Sequence, residues 1–407
     1  MHPRLKLFAK WVAPTSDSVT GVEAIVCFLR VLFTCFLHVV SMKDSSQLLQ
    51  ALHTSLPSSC KVRSTKEYRG NAASRGLLDV KDEIITKLLS TRECIWECMT
   101  AAGKSKYWPG IACSAVRGCI LFVSPISVDI PDIAWEANTA SYWQRGGGDF
   151  GGSSTKTGAK LHVISLGLFL KWFAQDPELL GNYSLIAFDE FDEAKYGNVS
   201  FSTVLVQVRQ RAADLGIKLA LLSATVPLGL ENMPRFEYHE RRYPLTVLEV
   251  EIENGADSFQ VVTNIGANLL KLGHTSILFF PGEAEINTAC ENGGKDFIPF
   301  HAKLSEEQIE TTRQPASSAR CLCSSTLGEK GTTIPDIDFA LCAGVARTQR
   351  DTNGVSEYMD NEVDEARAFQ RMSRAGRTKA GVGLRIVRSD LPKVLRASYM
   401  GLFFFNK

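Results

Sequence analysis

Eight residues, Leu185–Asp192 (LIAFDEFD), constrain this chain more than any other stretch. An apolar run of the kind that forms a buried strand delivers two adjacent carboxylates, then a Phe, then a third carboxylate. Ending a buried strand on clustered acids is unfavourable unless positive charge neutralises them. Mg²⁺ carrying a nucleotide phosphate meets that need. An acidic helix start, where Asp and Glu suit the helix dipole, meets it with no ligand at all. The matching parts have to be sought elsewhere in the chain.

A length of 407 residues exceeds one compact core and implies two domains with an appendage. The net charge of +1 provides no global cationic field, so any nucleic acid would be held by a local groove. Eleven Cys without a repeated CxxC spacing indicate neither a zinc site nor a disulfide framework. They read as reduced, mostly buried thiols of a cytosolic protein. Cys321 and Cys323 alternate as strand positions do.

Residues 1–76 read as a hydrophobic segment and a linker. Val22–Val40 is nearly long enough to span a membrane, but Glu23, Arg30 and His38 interrupt it. A transmembrane or signal anchor, a helix lying in the membrane interface, and a buried helix of a larger parent protein all fit. Met42–Gly76 is polar and Ser-rich, which predicts a linker.

From Leu77 the pattern changes to alternating strands and helices. Leu77–Leu89, Leu166–Phe173 and Val199–Leu215 have helical spacing. Glu93–Met99, Gly118–Ser124, Lys160–Ser165, Tyr183–Phe188 and Lys218–Ser223 read as buried strands. Trp143–Gly158 reads as a Gly-rich loop. A second series follows Pro227, with strands at Leu245–Ile252, Thr275–Phe280, Ile298–His301, Arg320–Ser324, Phe339–Ala343 and Gly381–Val387. Its helix is Val261–Leu272, and Arg347–Glu365 is a polar, acidic segment. The pattern predicts an α/β protein with two tandem domains, 77–228 and 229–407, each with a parallel sheet. The cleft between them is the expected ligand site.

Thr100–Ser105 (TAAGKS) supplies the first matching part. A small-residue loop between strand and helix lets the backbone N–H groups of Thr100, Ala101, Ala102 and Gly103 close around phosphate oxygens. Lys104 then reaches the β- and γ-phosphates, and the Ser105 hydroxyl ligates Mg²⁺. Cys98 and Ala101 depart from the full P-loop pattern, and a bare GKS recurs by chance. Paired with LIAFDEFD it gains meaning: Asp189 holds Mg²⁺, and Glu190 orients or deprotonates the attacking water.

In order along the chain, the motifs resemble those of a superfamily 2 helicase. They are similar to RNA helicases of positive-strand RNA viruses of the potyvirus, flavivirus and fungal-virus (hypovirus or fusarivirus) type. The resemblance runs from Leu77 to Val387. TAAGKS resembles motif I, Phe122–Pro125 motif Ia, Ile164–Gly167 motif Ib, DEFD motif II and Ser223–Thr225 motif III. Phe279–Ile286 resembles motif IV, Ser324–Asp338 motif V and Gln370–Arg377 motif VI.

The resemblance implies two tandem RecA-like domains and an NTP-dependent RNA helicase or translocase using ATP or another NTP with Mg²⁺. It implies viral RNA replication in the host cytoplasm, on RNA, beside other viral replication proteins and at intracellular membranes through residues 22–40. A cellular nucleic-acid translocase of the same superfamily and a catalytically silent, membrane-anchored RNA-binding scaffold are the alternatives.

Residue roles follow from the same likeness. Arg374 and Arg377, three apart on one helical face, reach across the cleft to the γ-phosphate, with Arg377 as the arginine finger. Gln370 positions the water beside Glu190, while Glu329 and Gly331 line the nucleotide cleft. Pro125, Ser165, Gly167 and Ser325 grip the nucleic-acid backbone without reading sequence. Asp192, Ser223 and Thr225 couple the nucleotide site to domain movement. Asp192 replaces a His, Ser373 a Gly and Ser325 a Thr of the commoner pattern. Few residues follow Val387, so the expected motor remodels RNA and unwinds poorly alone.

Overall fold

The computed structural model describes residues 45–100, 102–125, 130, 133, 140–142, 159–191, 195–196, 199–224, 226, 230, 232–253, 255–329, 334–352, 355–388 and 390–392. Val22–Val40 and Trp143–Gly158 lie outside the described residues. No helix among the described residues is long and apolar enough to cross a membrane.

Two seven-stranded sheets organise the chain. The first is built from β2 (Glu93–Cys98), β3 (Ile120–Ser124), β4 (Ala140–Tyr142), β5 (Leu161–Ser165), β6 (Leu185–Phe188), β9 (Lys218–Ser223) and β10 (Arg235–Tyr238). Their order is β10-β2-β9-β6-β3-β5-β4, and every pair is parallel. β3 and β6 are buried at every position, the continuous apolar run that a sheet covered on both faces requires. Helices α2 (Lys81–Ser90) and α3 (Lys104–Ala115) cover one face, where Trp96, Trp108 and Phe122 pack. Helices α4 (Leu166–Gln175) and α5 (Phe201–Asp214) cover the other, over Phe169, Phe188 and Val208. A short ribbon of β7 (Lys195–Tyr196) and β8 (Val199–Ser200) follows the acids. Because β9 lies between β2 and β6, the loops after β2 and β6 flank one crevice at the carboxyl ends of the strands.

The second sheet runs β1-β11-β18-β15-β12-β14-β13. It contains β1 (Cys60–Tyr68), β11 (Leu245–Ile252), β12 (Ser276–Phe279), β13 (Phe297–Phe300), β14 (Cys321–Ser324), β15 (Phe339–Cys342) and β18 (Gly381–Val387). Helix α6 (Ser258–Lys271) packs Val262, Ile265 and Leu269 on one core, with α7 (Glu283–Gly293) beside it. The opposite core gathers Ile277, Phe279, Phe300 and Met372. Helix α8 (Glu306–Arg313) starts at a capping box, Ser305 with Gln308.

One sequence reading is corrected here, and one segment read only for its composition gains a structure. The segment 42–76 is not a linker: residues 45–55 form helix α1, and β1 pairs antiparallel with β11. Leu48 and Leu52 of α1 are buried beside Leu248 and Val250, and Ser64 Oγ donates to Glu249 at 2.9 Å. A half-exposed edge strand has few apolar residues, so its sequence looks like a linker. The polar segment Arg347–Glu365 is likewise structured. It forms a hairpin of β16 (Val345–Thr352) and β17 (Val355–Glu362), tied by Arg347 Nε to Asp360 at 2.8 Å.

β10 returns to the first sheet, pairing with β2 through Tyr238. The chain therefore crosses between the sheets twice, at 69–75 and 239–244. The two crossings touch, with the Asn71 N–H donating to the Arg241 carbonyl at 2.7 Å.

Leu52→Ala tests the built-in N-terminal segment. Leu52 is fully buried, so the substitution should destabilise by about 2–5 kcal/mol in chemical denaturation. A change below about 0.5 kcal/mol, as for an exposed linker residue, would show that α1 is not part of the core.

Candidate active site in the cleft between the sheets

The loop from β2 into α3 is set by Gly103. It caps the helix at φ +91°, and a Cβ there would lie 2.3 Å from the Tyr107 ring, so only Gly fits. Ala102 braces the loop, its carbonyl accepting from the Leu77 N–H at 3.0 Å. Lys104 and Ser105 open the helix on the side of the acids.

Lys104 is buried, donates from Nζ to the Cys98 carbonyl at 3.2 Å and pairs with Glu190 Oε1 at 3.3 Å. Ser105 Oγ donates to Asp189 Oδ2 at 2.5 Å. Asp189 is held by its own N–H to the Val123 carbonyl at 2.9 Å, while its Oδ1 accepts from the Glu190 N–H at 3.1 Å. Glu190 sits at φ +43°, a left-handed conformation unfavourable for a side-chain-bearing residue. Such strain concentrates at working sites, where surrounding structure enforces it. Burial, then the neighbouring Glu190 charge, pushes the Asp189 carboxyl up to about 6 despite Lys104 and Ser105.

Two carboxylates thus share a dry site with one lysine. The donors suit a hard divalent cation: a Ser hydroxyl and a carboxylate in contact, all oxygen, with the second acid alongside. Among the described residues no group of three or more His, Cys, Asp or Glu could hold a metal by itself. Mg²⁺ is characteristically bound through one or two protein oxygens together with substrate phosphates, so this two-ligand arrangement fits it.

The opposing wall comes from helix α9 (Glu365–Met372) and the turn after it. Asp364 caps α9, accepting from the Arg367 N–H at 3.0 Å. Gln370 is buried and, with Met99, Thr100, Glu190, Ala224 and Phe369, lines a cavity of about 200 Å³ between the sheets. Thr100 Oγ1 donates to Ser373 Oγ at 2.7 Å, and Ser373 Oγ donates to the Gln370 carbonyl at 3.0 Å. Ser373, which departs from the commoner motif, therefore makes a direct contact between the P-loop and α9. Arg374 is buried and Arg377 half-buried on the following turn, not on one helical face as their spacing predicts, because α9 ends at Met372.

Most of the expected nucleotide residues are brought together: Thr100, Ala102, Gly103, Lys104, Ser105, Asp189, Glu190 and Gln370. Ala101, Asp192, Thr225 and Gly331 lie outside the described residues. Ser223 is fully buried at the end of β9, in register with Glu97 of β2. Pro125 follows β3 and Ser165 ends the neighbouring β5; the Ser165 side chain caps α4, whose first turn buries Gly167. Ser325 follows β14.

Glu329 is a correction. It is wholly buried inside the second unit, accepting from Arg371 Nε at 2.5 Å and Arg367 Nε at 3.0 Å. Burial pushes its carboxyl up, but the Arg371 and Arg367 charges outweigh burial and hold it at about 2. A buried carboxylate with both oxygens taken by arginines, and not among the residues lining the cavity, does not line a site for an anionic nucleotide. It anchors α9 instead. Sequence reasoning missed Arg371 as that anchor, and missed Tyr68 at the end of β1 and His239 in the second crossing, which line the cavity. Tyr68 packs on Phe369 with ring centroids 4.9 Å apart.

The α/β fold with its parallel sheets matches that of solved DEAH helicase structures. The crystal structure of the Escherichia coli DEAH/RHA helicase HrpB superposes with a TM-score of 0.66 at 22% identity, covering 81% of this chain and 46% of that one. Among curated proteins, the ATP-dependent RNA helicase HrpA of Escherichia coli is 28% identical over 248 residues, 56% of this chain and 19% of HrpA. The human probable ATP-dependent RNA helicase DHX34 is 25% identical over 323 residues, 70% of this chain and 28% of that protein. The chain thus spans under a third of the length of these two curated relatives and under half of the HrpB chain. No protein-family model matches it.

Glu329→Gln should destabilise the protein by about 3–5 kcal/mol, because it leaves Arg371 buried without its counter-charge. The ordinary Glu pKa of 4.5 falls to about 2 here, so the stabilisation is complete above about pH 4.5. It is lost as pH falls through about 2, and the variant should lack this acid-side slope in denaturation measured between those pH values. An unchanged slope would contradict the burial of this pair.

Proposed function

We propose that the chain is the motor of an NTP-dependent RNA helicase or translocase, made of two tandem RecA-like domains. One observation carries the reading: Lys104–Glu190 and Ser105–Asp189 stand at the end of one sheet, where Glu190 and Thr100 share a cavity with Gln370 of the other and Thr100 bonds to Ser373. The relatives HrpA and DHX34 are described as ATP-dependent RNA helicases, which supports ATP and RNA as the ligands.

The backbone of residues 100–105 and Lys104 hold the phosphates. Mg²⁺ bound at Ser105 and Asp189 supplies charge neutralisation at the phosphate oxygens. Phosphates compete with Glu190 for Lys104 and so free the Glu190 carboxylate to orient and deprotonate water, which Gln370 positions. Arg374 and Arg377 approach the γ-phosphate from the second domain, where guanidinium groups stabilise the charge developing on it. Closure of the cleft on NTP and reopening after hydrolysis drive stepping, with Asp192, Ser223 and Thr225 as the coupling. Pro125, Ser165, Gly167 and Ser325 hold RNA through its phosphates, so near-neutral net charge is no obstacle.

The order of the motifs leads us to place this motor in viral RNA replication. The setting is the host cytoplasm at intracellular membranes, with other replication proteins as partners. The matched bacterial and animal helicases favour a second reading, a cellular translocase of the same superfamily.

RNA-stimulated NTP hydrolysis tests the enzyme. Lys104→Ala and Glu190→Gln should each lower turnover by about 10²-fold or more. Hydrolysis by the unaltered protein no faster than by these variants would leave an RNA-binding scaffold as the remaining reading.

A further inference from the structure

Arg241 stands in the second crossing between the sheets, and it is 5% exposed. A buried guanidinium is unfavourable unless a carboxylate answers it. Among the described residues none does. Its Nη2 donates to the carbonyls of Ala375 at 3.5 Å and Gly376 at 3.2 Å, and its Nε and Nη1 have no hydrogen-bond partner. Burial, and then the charge of Arg377, pulls its pKa down to about 10. An apolar side chain would fill this space at lower cost, so stability alone does not account for the cation.

What it holds is informative. Ala375 and Gly376 are the two residues before Arg377. Gly376 turns at φ +71°, and a Cβ there would lie 3.1 Å from Arg241 Nη2 and 3.1 Å from the Pro244 carbonyl. That carbonyl also accepts from the Gly381 N–H at 3.1 Å, where the turn re-enters β18. Segment 241–244 therefore seats the turn through a side chain on one side and backbone on the other.

The same residue ties the crossings together. Its carbonyl accepts from the Asn71 N–H, and Gly70 lies so close to the Tyr243–Pro244 backbone that a Cβ would come within 2.5 Å of Pro244 N. Three parts meet at Arg241: the first crossing, the second crossing and the turn that carries Arg377.

We propose that Arg241 is the positioning residue for Arg377, fixing its turn to the paired crossings so that rotation of one sheet against the other carries the guanidinium to and from the P-loop as one body. The inference rests on the nucleotide reading of the cleft. It assigns Arg241 no contact with substrate; it acts through Arg377.

The test compares Arg241→Met and Arg241→Lys in the full chain, with thermal melting to confirm that both fold. Hydrogen exchange reads the seating without turnover. Arg241→Met should speed exchange of the 375–381 amides by about tenfold while α3 is unchanged, with Lys intermediate because one ammonium point cannot serve both carbonyls as a planar fork does. In hydrolysis, Arg241→Met should lower kcat about tenfold and leave KM within about threefold, because ground-state contacts sit on the P-loop. Arg377→Ala should cost less turnover in the Arg241→Met background than alone. Unchanged exchange at 375–381, unchanged kcat, or losses that simply multiply would overturn the proposal. If the unaltered protein hydrolyses no faster than Lys104→Ala while exchange still rises at 375–381, the nucleotide reading fails and the seating of the turn by Arg241 stands.

Discussion

The ion pair between buried Lys104 and partly exposed Glu190, 3.3 Å across, keeps the cleft in electrostatic balance. Asp189 and Glu190 bring two negative charges close together, and burial with the Glu190 charge pushes Asp189 toward its protonated form. Lys104 answers one, and the Ser105 hydroxyl softens the other. The remaining deficit of positive charge is what makes the place suitable for a divalent cation and a phosphate. Removing the lysine would leave both acids without compensation, so the local structure and the chemistry share one requirement.

The second sheet completes this arrangement by rigid means. Glu329 fastens Arg371 and Arg367 from below, which fixes α9, which in turn presents Gln370 and Ser373 to the P-loop. The N-terminal segment contributes from the same side. By adding β1 to the second sheet before the first sheet begins, the chain enters the cleft twice, and the two crossings are hydrogen-bonded together. A single covalent tether would permit wide relative motion of two domains. Paired tethers, hydrogen-bonded to each other through Asn71 and Arg241, leave less freedom than one would.

Much of this was legible in the sequence because it is local. A buried parallel strand is a run of apolar residues, so β3, β6 and β12 show themselves, and the phosphate loop and acid pair are contiguous motifs. What was hidden is non-local or polar. β1 pairs with a strand some 180 positions away, and half of its side chains face solvent, so neither periodicity nor composition marks it. The β16–β17 hairpin did carry a signal: Asn353-Gly354 between two alternating runs is a strong hairpin pattern, masked by the acidic composition around it. Glu329 was misassigned because a carboxylate in a helicase-like motif reads as a cleft residue. Only the packing shows it inverted into the core, where two guanidiniums meet it.

Nucleotide bridging of the two sheets, beyond the contacts they already make at Thr100–Ser373 and at the crossings, is what the cleft chemistry requires. Its most direct measurement is single-molecule energy transfer between labels on non-natural side chains at Ser90 of α2 and Lys271 of α6, both exposed. Adding Mg²⁺ with a non-hydrolysable NTP and single-stranded RNA should collapse the distance distribution to one narrow population, and Lys104→Ala should not respond. A distribution indifferent to nucleotide in the unaltered protein would contradict the account.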